Sequence, residues 1–297
     1  MAKSPKIIFL GTSVFGQIVL RNLIEEGVKP EAVITQPDRP IDSQKTPSPV
    51  SSEAKKYKIP VLSPKIRKGI EQILPKIKKL KPDLLIVASF GMEIPQEVLA
   101  IPAKGALKLH PSLLPRHRGP APIPTTILRG DEQTGVTVIL MDGETDHGPI
   151  LSQETIPVTS EDTTLSLTAK LSTLGGRVLA QTIGKYLEGK TTPQSQNHPT
   201  ATYSKFVTYE DGKINWGSSN ETIDRMMRSY QPWPGVWTTL GELAEELERE
   251  LKNPKEAEKI VKLLAVHQDN GALVVDKMQV GNQNPLTLPE FIEKYLI

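Results

Sequence analysis

Apolar positions along the chain change their period several times, and each change marks an element. Residues 7–10, "IIFL", form a short β-rich run that turns at Gly11. Behind it Val19, Leu20, Leu23 and Ile24 recur at helical spacing, and Gly27 closes the segment. "EAVITQ" supplies a second strand, so the opening predicts a parallel βαβ unit. "DLLIVAS", after Pro82, is apolar without alternation and fits a strand buried on both faces. "GALKLH", "TGVTVILMD" and "GPILSQETIPV" predict three more strands, and an amphipathic pattern over 163–187 predicts a long helix. Strands alternating with helices specify the α/β class, with an open, mostly parallel, Rossmann-like sheet.

The pattern lapses over 189–204, "GKTTPQSQNHPTATYS", a polar stretch with two prolines. It reads as a linker between a domain over 1–188 and a second over 205–297. In the second, "SSNETIDRMMRSY" predicts a helix opened by a capping box from Ser218 to Glu221. "LGELAEELERELKNPKEAEK" predicts a charged helical stretch interrupted at Asn253 and Pro254. "IVKLLAVHQDNGALVVDKMQV" gives two strands or more around a turn at Asn270 and Gly271, and "TLPEFIEKYL" a capped terminal helix. The second domain is therefore small, strand-based and OB-like.

Composition narrows the chemistry. A length of 297 residues suits one large domain and one smaller one. The net charge of +2 neither announces nucleic-acid binding nor forbids a local basic stripe. With no cysteine, disulfides, thiolate metal sites and cysteine nucleophiles are excluded. The opening "MAKSPKIIFLG" has too short an apolar run for a signal peptide, and no run approaches membrane-spanning length, so a cytoplasmic location is expected. Nothing in the pattern requires a dimer, and a monomer is expected.

"GTSVFG" follows the first strand but lacks dinucleotide spacing, and no phosphate-loop lysine follows. A tight strand-to-helix turn needing small residues accounts for it. "HPSLLP" carries more. His110 ends a strand, at the carboxyl edge where open α/β sheets bind ligands. Lys108 lies two residues before it and shares its face, while Leu107 and Leu109 point the other way. "GVTVILMDGETDHG" is read as bringing another strand to the same edge, followed by a loop with Asp142, Glu144 and Asp146. A histidine beside a carboxylate suits general acid–base work near neutral pH. Taken singly, His110 reads first as a satisfied strand end and the acidic loop as a solvated turn; the two together tip the reading toward His110 with Asp146. His110, His117, Asp142, Asp146 and His147 lack metal-site spacing, so no metal is expected. Ser112 lacks a nucleophile elbow.

"FLGT", "TQPDRP", "PSPV", "SFGMEIP", "HPSLLPRHRGPAPI", "GDEQTGVTVILMD" and "DHGPIL" occur in order, followed by "INW" and "PWPGVW". Together they closely resemble the methionyl-tRNA formyltransferases, within the wider superfamily of folate-dependent formyltransferases. The resemblance covers residues 5–240 and resumes more loosely over 259–295. It implies formyl transfer from 10-formyltetrahydrofolate, as co-substrate, to the methionine amine of initiator tRNA, with neither metal nor membrane involved. It further implies that His110 stabilises an oxyanion and moves protons, and that Asp146 orients and charges that imidazole. Phe90, Gly91, Ile94 and Pro95, with Ser112, Leu113, Leu114 and Pro115, would line the folate pocket. Arg39, Lys45, Arg116 and Arg118 would meet tRNA, although any one of them could be an ordinary solvated charge.

Three departures from the family pattern stand out. Lys108 occupies the place of an asparagine, exchanging a group that donates and accepts for one that only donates. Lys108 either remains an oxyanion donor, now charged, or spoils the site. At ~5 Å and an effective dielectric of ~20 a cation adds roughly 3 kcal/mol to the cost of an imidazolium. Losing one oxyanion donor costs about 10²–10³ in rate. A weakened or altered catalyst is the expectation. The loop "IDSQKT" is thinly basic, and 241–258 holds seven glutamates against Arg249, Lys252 and Lys255. An acidic segment of that kind cannot face phosphates. An amino-sugar N-formyltransferase is the rival enzyme, compatible with the thinned loop and opposed by "PWPGVW". A non-catalytic relative that binds folate or tRNA is the rival of another class, and Lys108 is its main support.

Overall fold

The computed structural model describes residues 5–41, 44–65, 69–269 and 272–297. Two compact units share the chain. The first comprises Met1–Pro122, Glu132–Val158 and Ser166–Lys205, and the second Ile123–Asp131, Thr159–Leu165 and Phe206–Ile297.

The chain opens with β1 (Ile7–Gly11), α1 (Val14–Glu25) and β2 (Ala32–Ile34), then a small antiparallel pair, β3 (Arg39–Ile41) with β4 (Gln44–Thr46). Then come α2 (Pro49–Lys56), β5 (Val61–Leu62), α3 (Leu74–Leu80), β6 (Leu84–Ala88), α4 (Gln96–Leu99) and β7 (Ala106–His110). After α5 (Pro122–Leu128) follow β8 (Gln133–Leu140), β9 (Ile150–Pro157) and α6 (Thr164–Leu187). Seven strands of the first unit form one sheet in the order β5-β2-β1-β6-β7-β8-β9. The first five are parallel, whereas β8 runs antiparallel to β7 and β9 antiparallel to β8.

Burial explains the pattern. Every residue of β1 and β6 is buried, as a parallel centre covered on both faces requires. Ser13 caps α1, its hydroxyl accepting from Gly16 N, and Gly27 follows the helix with φ +86°. The turn "GTSVFG" needs small residues because a Cβ at Gly16 would fall 2.7 Å from the Ala88 carbonyl oxygen. Gly175 serves the same purpose on α6, since a Cβ there would lie 2.6 Å from Leu109.

The antiparallel direction of β8 corrects one sequence expectation. His110 pairs with Thr137, and Leu107 with Leu140. The acidic loop after β8 therefore leaves at the end where β7 begins, not at the edge that His110 occupies. Met141 N accordingly donates to Ala106 O.

In the second unit, α7 (Asn220–Tyr230), β10 (Val236–Thr239), α8 (Leu240–Glu246), β11 (Ile260–Asp269), β12 (Ala272–Val280), β13 (Leu286–Thr287) and α9 (Leu288–Tyr295) follow in order. The four strands make an antiparallel sheet, β10-β11-β12-β13, over a core that includes Val236, Val261, Met278 and Phe291. The cap of α7 is Ser219, which accepts from Thr222 N, rather than the Ser218–Glu221 box; Glu221 instead pairs with Arg225. The capping box in this region is Thr239 with Glu242, opening α8. That helix ends at Glu246, well short of the charged stretch the sequence predicts, and Glu248 has φ +52°. The turn at Asn270 and Gly271 lies outside the described residues.

Candidate active site

Strands β6 and β7 are parallel neighbours, so their carboxyl ends open on one edge. The loop after β6 is tied down by its neighbours. Thr12 Oγ1 donates to Phe90 O at 2.7 Å, and Gln36 Nε2 donates to Phe90 O at 3.1 Å and Gly91 O at 2.7 Å. Gly91 has φ +69°, and a Cβ there would lie 2.7 Å from Gln36 Nε2. The Phe90 ring is buried in the core, and Ile94 packs half-buried against the same cluster. Pro95 caps α4.

The segment after β7 is held through Thr137. Its hydroxyl donates to Ser112 O at 2.6 Å and accepts from Leu114 N at 3.2 Å and Gln153 Nε2 at 2.8 Å. Ser112 Oγ donates to Arg116 O at 2.7 Å. The Leu114–Pro115 bond is cis. Leu114 is buried, while Leu113 and Pro115 are half-buried.

Although its loop starts at the far end of β7, Asp146 folds back over the strand and meets both predicted partners. Lys108 Nζ stands 2.5 Å from Asp146 Oδ1, and His110 Nδ1 stands 3.5 Å from the same oxygen. Gly119 N donates to Asp146 Oδ2 at 2.8 Å. His110 and Asp146 are both 2 % exposed. His110 Nε2 lies 2.9 Å from His117 O, and because a carbonyl only accepts, Nε2 carries the proton. In the neutral ring Nδ1 then presents a lone pair to the carboxylate. The wide spacing follows, and Asp146 Oδ1 lacks any hydrogen bond of good angle among the described residues.

Charge follows from this geometry. Burial pushes the His110 pKa down; the Asp146 carboxylate opposes that, and the Lys108 ammonium adds to it. Burial works against the Asp146 charge, yet the His110 ring when protonated, the Lys108 ammonium and the Gly119 N–H hold its carboxyl below the usual range. The site therefore offers a neutral base, Nδ1, beside a carboxylate that would stabilise its protonated form, and a cation on the same oxygen.

Of the expected phosphate contacts, Arg116 is exposed. Arg118 is not available: it is 2 % exposed, and its guanidinium is spent on Gln196 Oε1 (2.7 Å), His198 Nδ1 (2.9 Å) and Tyr203 Oη (3.3 Å). Arg39 and Lys45 lie on β3 and β4, and their side chains are outside the described residues. Gln36, Thr137 and Gln196 escaped the sequence reading, because a lone amide or hydroxyl carries no spacing signal. Among the described residues no group of three or more His, Asp or Glu side chains is placed to hold a metal, and no helix is long and apolar enough to cross a membrane.

Residues 5–183 match the family described as formyl transferase, and residues 207–296 match the formyl transferase C-terminal domain. The chain is 41% identical over 236 residues to the methionyl-tRNA formyltransferase of Enterococcus faecalis, spanning 79% of this chain and 75% of that one. It is 35% identical over 294 residues to the enzyme of the same name from Roseiflexus castenholzii, spanning 95% and 94%. Among solved structures, HypX from Aquifex aeolicus in complex with tetrahydrofolic acid aligns with a TM-score of 0.65 at 16% identity, over 98% of this chain and 48% of that one. An N-formyltransferase from Helicobacter canadensis, in complex with folinic acid and dTDP-3-aminofucose, aligns at 0.62 and 17% identity, over 93% and 95%.

Proposed function

The chain belongs to the formyl transferase family, and from that premise we propose that it moves a formyl group from 10-formyltetrahydrofolate to the amine of methionine on initiator tRNA. One observation carries the reading: His110 Nδ1 and Lys108 Nζ converge on a single buried oxygen of Asp146, at the sheet edge that the loop after β6 also borders.

The wall beside that cluster suits a flat, reduced pterin. Phe90, Ile94, Pro95, Leu113, Leu114 and Pro115 are apolar, and the Thr137 bonds to Ser112 O and Leu114 N fix part of the wall. Gly91 and Ser112 supply backbone polar groups at its border. When bound, the folate supplies a formyl carbon whose oxygen gains negative charge as an amine approaches. His110 Nδ1, neutral and unprotonated, takes the proton shed by that amine. The new Nδ1–H faces Asp146 Oδ1, which holds the imidazolium until that proton would pass to N10 of the folate, the nitrogen that leaves as its bond to the formyl carbon breaks and the carbon–amine bond is complete. Lys108 donates from its ammonium toward the developing negative charge, the role an asparagine amide fills in the family. Arg116, with Arg39 and Lys45, is proposed to meet tRNA phosphates; Arg118 is withdrawn from that set.

The test is formylation of methionyl-tRNA by the intact chain with 10-formyltetrahydrofolate. Substituting His110→Ala removes the proton carrier and lowers kcat by about 10²–10⁴-fold. Turnover equal to the parent's overturns the assignment. Folate binding without turnover on methionyl-tRNA in the parent favours a binding protein instead.

A further inference from the structure

Residues 194–204, the polar stretch between the two family matches, are bonded to both halves of the site. Gln194 and Ile150 exchange backbone hydrogen bonds of 2.7 and 2.8 Å. Thr202 donates from its N–H to Pro115 O at 3.2 Å, and its carbonyl accepts from Arg118 N at 2.9 Å. The Thr202 hydroxyl accepts from His117 N at 2.9 Å. His117 is the residue whose carbonyl holds the His110 ring proton, so the imidazole is oriented from this segment.

The carboxylate is oriented from it too. Gln196 is buried, and its Oε1 accepts from Arg118 Nη2 at 2.7 Å and Nε at 3.3 Å. A guanidinium only donates, so these contacts settle which end of the amide is oxygen. The amide nitrogen then faces three successive carbonyl oxygens, those of Asp146 (2.9 Å), His147 (3.0 Å) and Gly148 (2.7 Å). Three carbonyls aimed at one point repel each other unless a donor stands there. The turn that aims them places Asp146 at φ +51°, where residues other than glycine are strained and persist only when their surroundings hold them. Arg118 in turn is braced by His198 Nδ1 and Tyr203 Oη.

We propose that Gln196 is a positioning residue: its amide, oriented by Arg118, holds the turn over 146–148 so that the Asp146 carboxylate faces His110 and Lys108. The inference rests on the acid–base reading of His110 and Asp146. It adds a residue that touches neither substrate yet sets the spacing of the proton-handling pair. A misplacement of about 1 Å at such a pair is enough to cost about 10²-fold in rate.

Two substitutions test it. Gln196→Met keeps length and bulk but donates nothing. Gln196→Glu keeps the shape and the Arg118 contact but turns an acceptor oxygen onto the three carbonyls. The first readout needs no activity: hydrogen exchange of the Gly119 amide, which donates to Asp146 Oδ2. In both variants it accelerates about tenfold or more, while the amides of β1 and β6 exchange as in the parent. The second readout is steady-state formyl transfer. The rate constant kcat falls by about 10²-fold with KM for 10-formyltetrahydrofolate held within about twofold. The acid limb of its pH profile moves to lower pH, because His110 loses part of the carboxylate charge that raises its pKa. Parent-like Gly119 exchange in both variants overturns the proposal. So does loss of protection across β1 and β6, which would make Gln196 a plain stability residue. Should His110→Ala retain full turnover, the acid–base reading fails separately, and the exchange at Gly119 still decides whether Gln196 holds the turn.

Discussion

Replacing Lys108 with asparagine tests how the charge balance of the site governs its rate. Lys108 Nζ and His110 Nδ1 lie 2.5 and 3.5 Å from one Asp146 oxygen, so they stand within about 6 Å of each other, and at an effective dielectric of ~20 an ammonium there repels an imidazolium by about 3 kcal/mol. The carboxylate is shared between two cations whenever His110 takes up a proton. With asparagine in place, Asp146 serves the imidazolium alone. The sign is unambiguous: the ammonium lowers the His110 pKa, so its removal raises it, and Nδ1 becomes the stronger base. The asparagine amide also restores a neutral donor and acceptor on the same strand face. The expected outcome is a gain of at least about tenfold in kcat near neutral pH, together with an acid limb of kcat/KM displaced to higher pH. The assay is methionyl-tRNA formylation across the range in which imidazole titrates, at saturating and limiting 10-formyltetrahydrofolate. An unmoved acid limb with no gain in rate refutes the reasoning. It would mean that the ammonium is neutralised by Asp146 before it can act on His110.

Further outcomes follow from the geometry of the site and of the core. Gly91→Ala forces a Cβ onto Gln36 Nε2 at a φ of +69°, so it raises KM for 10-formyltetrahydrofolate several-fold with little change in kcat; equal shifts in both would argue against a binding role for that loop. Arg116→Ala weakens tRNA binding and reduces the slope of log affinity against log salt by about 0.9, whereas Arg118→Ala lowers the melting temperature, because it strips a buried network. Glu53 is buried against Arg21, whose hydrogen bond is the chief cause of a pKa lowered to about 2, with Gln17 and Lys56 assisting. A depressed carboxylate stabilises the fold above its ordinary pKa of 4.5 and ceases to as the pH falls toward 2, a contribution of about 3 kcal/mol. Melting temperature against pH should therefore drop over that window, and Glu53→Gln should flatten the drop.

The parts of the fold legible in the sequence are those in which one physical demand governs a whole segment. β1 and β6 are apolar throughout because both faces are covered, and α6 keeps one apolar stripe for 24 residues. α2, "PVSSEAKK", escaped notice: it buries Ser51 and Glu53 alongside Val50 and Ala54, so its inner face does not look apolar. The direction of β8 was not legible either, since alternation predicts a strand without saying which way it runs. His110 and Lys108 were legible as a pair because strand period alone puts them on one face. Asp146 reached them by a route no periodicity encodes, a left-handed turn held by a glutamine 50 residues later. Arg118 shows the converse limit. A cation in a basic motif reads as solvent-facing, and only its partners Gln196, His198 and Tyr203 reveal that it is not.

The second unit takes Ile123–Asp131 and Thr159–Leu165 from earlier in the chain, and Leu128 packs against its core. On a ribosome those two pieces emerge long before the strands they join. They must stay uncommitted until Phe206–Ile297 has been synthesised, so this core closes only as the polypeptide nears completion. A gene fragment starting after Lys205 would encode an incomplete fold, lacking the Pro124 carbonyl that accepts from Ser229 Oγ. Grafting the carboxyl-terminal piece onto a foreign carrier would therefore require transplanting those two early peptides with it.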